Sequence, residues 1–78
     1  MKPTVEIRRS ATVLVVRFSQ EPPPGFVAWL NHYFFQRDEL TWFKAYNRVS
    51  DSQWAALENH LRFLEKEGWD VKKTLHPR

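Results

Sequence analysis

The segment Leu40–Val49 changes character at every step: Leu40, Trp42, Lys44, Tyr46 and Arg48 fall on one side of an extended chain, and Thr41, Phe43, Ala45, Asn47 and Val49 on the other. Flat rings alternating with cations are what a single-stranded nucleic-acid platform uses, the rings stacking on bases and the cations neutralising phosphates. Arg8 and Arg17 on a preceding hairpin, and Arg37 in the turn before the segment, can widen that surface. The opposite rotation would bury Trp42 and Tyr46, place Phe43 and Ala45 outside, and leave Lys44 and Arg48 pointing inward or snorkelling. Two cations facing a core is the costlier arrangement, so Trp42, Lys44, Tyr46 and Arg48 are expected to look outward.

Catalytic chemistry lacks its parts. The chain has no cysteine and only two glycines, Gly25 and Gly68, so it has neither a thiol nucleophile nor a glycine-rich phosphate loop. No HxH or HExxH pair offers a metal site. His32 and His60 fall on the polar sides of their helices, and His76 lies in the tail. Ser10, Ser19, Ser50 and Ser52 occupy turn and cap positions. Asp38 and Glu39 form a turn, while Asp51, Glu58, Glu65 and Glu67 decorate a solvated helix face, so paired carboxylate chemistry would need a pocket that a small core has little room for. The expectation is a protein that is not an enzyme and uses no cofactor or metal.

The elements that must position these residues are readable from their periods. Residues 4–19 hold two β-branched runs, Thr4–Arg8 and Thr12–Phe18, separated by Arg9-Ser10-Ala11, which reads as a hairpin. Gln20-Glu21-Pro22-Pro23-Pro24-Gly25 ends the strand and forms a stiff connector. A helix over 24–34 buries Phe26, Val27, Trp29, Leu30, Tyr33 and Phe34, with Ala28, Asn31 and His32 opposite. A second hairpin covers 34–49 around the turn Arg37-Asp38-Glu39. The clearest helix runs over 51–67: Ser50 and Gln53 stand at capping-box spacing, Val49 and Trp54 at the positions of a hydrophobic staple, and Gly68 marks the stop. Its buried stripe is Trp54, Leu57, Leu61 and Leu64. Phe63 lies about half a turn away from that stripe, among polar residues, either as a harmless exposed ring or as the anchor of a protein or dimer contact. Residues 69–75 alternate again and can add a last strand.

These elements predict an α+β fold in one domain over 1–78, with a small, mostly antiparallel sheet, two helices on one face and the order ββαββα(β). The 78 residues, 42% of them hydrophobic, suit one core and not two. Absence of cysteine fits a reducing, cytoplasmic setting. The longest apolar run is Val13–Val16, far short of a membrane span, and nothing near Met1 reads as a targeting signal, so no membrane partner is expected. The net charge is +3, all of it carried as an excess in residues 1–50, which gives a mild bias toward anionic partners.

Taken together, Val5-Glu6-Ile7-Arg8-Arg9, Leu14–Phe18, the following helix, and Phe34-Phe35-Gln36-Arg37-Asp38-Glu39-Leu40-Thr41-Trp42 resemble the small domain called HARP, found beside annealing helicases and in modules of mobile elements. Trp42 matches the tryptophan that ends that family's hairpin signature, and Asp38 its turn acid. The family usually has Asp-Pro or Asp-x-x-Thr-Lys before the tryptophan, where this chain has Gln36–Thr41. The resemblance implies DNA binding near strand junctions as an accessory and not as a motor. Two function classes follow: a nucleic-acid-binding accessory domain for single-stranded or junction DNA, or a phage- or plasmid-type adaptor or inhibitor that docks on a protein through exposed aromatics. Homodimerisation through the open sheet or the edge strand Trp69–Leu75 is a further partner expectation.

Overall fold

Residues 2–75 are described by the structure, a computed structural model. His76 therefore lies outside the described residues. Strand β1 (Thr4–Arg9) pairs antiparallel with β2 (Val13–Phe18). Their connection lacks glycine but is held by Ser10, whose hydroxyl accepts from the backbone N–H groups of Thr12 (3.3 Å) and Val13 (3.1 Å) while its own N–H donates to the Val13 carbonyl (3.0 Å). The side chain thus supplies the turn that a left-handed residue would otherwise make.

Helix α1 (Pro24–His32) begins on Pro24, whose fixed φ suits the first helical position. It is shorter than the expected 24–34: Tyr33 is the cap and Phe34 has left the helix. The second hairpin is β3 (Gln36–Asp38) and β4 (Thr41–Ala45), with Glu39 in the left-handed region (φ 55) at its two-residue turn. β4 stops at Ala45 and not at Val49: its partner β2 begins at Val13, opposite Ala45, and the last bond between them runs from the Tyr46 N–H to the Thr12 carbonyl (3.0 Å). The chain then folds into a 3₁₀ turn, Tyr46–Arg48, that leads into helix α2 (Asp51–Lys66). Ser50 caps α2 by accepting from the Gln53 N–H at 3.2 Å, as its spacing predicts.

The last strand, β5 (Asp70–Leu75), pairs parallel with β1, giving the order β3-β4-β2-β1-β5, antiparallel everywhere else. The fold is thus the expected α+β arrangement of a five-stranded sheet and two helices. Both helices join strands that run in the same direction: α1 carries β2 to β3, and α2 carries β4 to β5. Those two crossovers start from opposite strand directions and travel to opposite sheet edges, so crossovers of one hand place both helices on the same face. That face holds the core, where Val5, Ile7, Leu14, Val16, Phe18 and Trp42 from the sheet meet Phe26 and Leu30 of α1 and Leu57, Leu61 and Leu64 of α2. Phe18 is its aromatic centre, edge-on to Phe26 (5.3 Å), Trp42 (5.4 Å) and Trp69 (6.0 Å).

Candidate functional site

The rotation expected for β4 is reversed. Trp42 is 0% exposed and sits in the core, and Lys44 is 9% exposed on the same side. The pleat dictates this, because Trp42 lies opposite Val16 and Lys44 opposite Leu14, and residues paired across a ladder share a face. The β2 side carrying Leu14, Val16 and Phe18 is the more apolar one, and it takes Trp42 inward with it. Only one cation is buried as a result, since Arg48 lies beyond the strand end and is exposed.

Lys44 is accommodated by bonds to both helices: its Nζ donates to the Tyr33 carbonyl oxygen (2.8 Å), at the negative end of α1, and to Gln53 Oε1 (2.9 Å). Burial, followed by the nearby positive charge of Arg48, lowers its pKa from the usual lysine value.

The other expected members of the platform are dispersed. Tyr46 is half-buried beneath Arg9, whose guanidinium carbon lies 4.3 Å from the ring centre. Arg37 covers the Trp42 ring at 4.4 Å, and its other bonds go to Glu21 (2.6 Å) and the Glu39 carbonyl (2.6 Å), so it seals the core edge. Trp42, Lys44, Tyr46 and Arg48 therefore form no common exposed row.

The opposite side of the sheet has no helix over it. Across it run Gln36, Phe43, Val15, Arg8 and Thr74 as one row of facing residues, and Asp38, Thr41, Arg17, Glu6 and Lys72 as the next. Phe43, which the expected rotation placed in the core, lies here, partly exposed beside Val15. Arg8 and Arg17 are both exposed on this face, Arg8 reaching Glu6 at 3.3 Å.

Where this face meets the β3–β4 edge, Phe34, Gln36, Phe43, Lys44, Ala45 and Arg48 line a concavity of about 720 Å³. Phe34 is 85% exposed and holds φ at 64°. It occupies the first position past the cap of α1. Its N–H donates to the Asn31 carbonyl (3.2 Å), and the next N–H, of Phe35, donates to the Leu30 carbonyl (3.1 Å), the pair of bonds that closes a Schellman motif. α2 ends in the same way, with Gly68 (φ 97) donating to Glu65 (3.1 Å) and Trp69 to Leu64 (2.9 Å). The same backbone position is thus filled once by glycine, which adopts it without strain, and once by an exposed phenylalanine, which does not.

On the helix side, Phe26, Trp29, Ala56, His60 and Phe63 border an apolar groove of about 640 Å³. Phe63 is 51% exposed at its rim. His60 is not the surface residue its helical position suggested: it is half-buried, stacks on Phe26 at 4.7 Å, and has its pKa lowered by that burial. Phe34 as an exposed ring and Phe43 as a partly exposed one were not expected from the sequence. The one available signal was the contrast between Gly68 after α2 and the absence of any glycine after α1.

Among the described residues no three His, Cys, Asp or Glu side chains gather as a metal site, and no helix is long and apolar enough to cross a membrane. No family model matches the chain, and no curated protein or solved structure shows significant similarity to it.

Proposed function

We propose that the domain is a non-catalytic accessory module that binds single-stranded nucleic acid on the uncovered face of its sheet, with Phe43 and Val15 under the bases and Arg8 and Arg17 on the phosphates. The observation that carries this reading is a helix-free sheet face on which a partly exposed ring shares a row with Val15 and the exposed Arg8, with the exposed Arg17 in the next row. Open sheets bearing aromatic and basic side chains suit stacked, splayed bases better than duplex, whose bases are hidden. The resemblance to HARP domains favours the same class, an accessory on DNA near strand junctions. Trp42, enclosed in the core, has no place on this face, and Lys44, on the core side of β4, reaches only the concavity at the β3–β4 edge.

Fluorescence anisotropy with a labelled oligothymidylate tests it. Phe43→Ala is expected to weaken binding by about 1–3 kcal/mol, the worth of one stacked base. Replacing Arg8 and Arg17 together with alanine is expected to reduce the slope of log K against log salt by about 1.4. If the native chain leaves the oligonucleotide free at low salt, this function is wrong.

The groove around Phe63 favours a second reading, a protein-docking adaptor or inhibitor of the phage or plasmid type, or a homodimer, with Phe63 as the anchor. Such a contact survives moderate salt, whereas strand binding collapses. A nuclease-resistant complex recovered from the host that persists in moderate salt and is lost on Phe63→Ala would favour it over the sheet-face reading.

A further inference from the structure

We infer that the concavity bounded by Phe34, Gln36, Phe43, Lys44 and Arg48 is a subsite for one nucleotide of a bound strand, its base stacked on Phe34 and its phosphate held between Lys44 and Arg48. The inference rests on the proposed function and extends it from the open face to the concavity at its β3–β4 edge.

Several observations meet here. Phe34 stands in a left-handed conformation that glycine serves better, and its ring is presented almost wholly to solvent. Strain of that kind collects where a side chain is held for a ligand. The concavity contains two cations and no acid, and among the described residues no carboxylate lies within 4.0 Å of either Lys44 or Arg48. Like charges gathered without a counter-ion are relieved when an anion enters between them.

Lys44 also retains capacity to bind. An ammonium group has three donors, and two of those on Lys44 are engaged with Tyr33 and Gln53, which fixes its position and leaves one. Gln36 adds an exposed amide beside Phe43, carrying both a donor and an acceptor for a base edge. The volume falls within the range of sites that accept a nucleotide-sized ligand. A ring, two positive charges and an amide match the three parts of a nucleotide, and an apolar peptide would leave both cations without a counter-ion.

The test crosses protein variants with oligonucleotides that do or do not have abasic positions. Phe34→Gly is suited to it because glycine fits the backbone, and circular dichroism confirms that the variant folds. It is expected to weaken binding to the intact oligonucleotide by about tenfold and to leave binding to the abasic one unchanged. Arg48→Gln is expected to weaken both equally and to reduce the salt slope by slightly less than 1. If Phe34→Gly binds the intact strand as the native chain does, the subsite is wrong while the sheet-face reading stands. Failure of the native chain to bind any strand overturns both. Competition with thymidine monophosphate separates the sources: expected inhibition only at millimolar concentration means a strand, whereas binding as tight as the oligonucleotide's would make the occupant a free nucleotide and overturn the strand assignment.

Discussion

At the residue scale, Trp42 is a packing residue and its substitution has a packing signature. Trp42→Ala is expected to destabilise the domain by about 3–5 kcal/mol, seen as a lower denaturant midpoint, because the indole is fully enclosed and meets Phe18 edge-on. Phe34→Gly should act in the other direction and raise stability by about 0.5–1 kcal/mol, since a left-handed backbone strains phenylalanine and not glycine. A chain that becomes more stable and less able to bind through one substitution would mark position 34 as kept for function. The alternation of ringed and cationic residues in 40–49 was legible, but its rotation was not. That depended on which side of β2 is the more apolar and on Arg48 leaving the strand, neither of which the segment itself encodes. Two buried cations were the expected cost of this rotation, whereas the fold buries one and supplies it with two acceptors.

The helices show where local signals suffice. α2 begins at Asp51 because Ser50 caps it, and it stops before Gly68 because glycine takes the left-handed position; both were visible as residue types at set spacings. α1 was read two residues too long, since Phe34 continues an apolar stripe in sequence while its backbone has already turned away. A pH response is expected at the groove between the helices. His60 stacks on Phe26, and burial sets its folded pKa below the unfolded value near 6.5, so the unfolded chain binds more protons as the solution is acidified. Its contribution is therefore fully present above pH 6.5 and is lost as pH falls below it. Thermal melts from pH 7.5 to 5 are expected to show a falling midpoint, and His60→Gln is expected to flatten the part of that fall that lies near neutrality. An equal slope in the variant would show that carboxylates alone set the response.

For the whole molecule, the two-layer α+β plan followed from the order of elements, and the position of β5 did not. Its alternating residues announce a strand, but nothing in residues 69–75 says whether it joins β1 or β3, or in which direction. The answer depends on a crossover from β4 past β2 and β1 to the far edge of the sheet, a long-range property. β5 and the preceding Trp69 are expected to be indispensable: a chain ending at Gly68 would lose the Trp69–Phe18 contact and expose the edge of β1, and circular dichroism is expected to show loss of cooperative unfolding. The parallel register has a mechanical consequence too. Thr4 lies beside Asp70 and Arg9 beside Leu75, so tension applied at Thr4 and Leu75 pulls the first and last strands past each other along their length. Their hydrogen bonds then share the load as a shear joint and do not open one after another like a zip, which makes the domain a stiff link wherever it is strung between two other bodies.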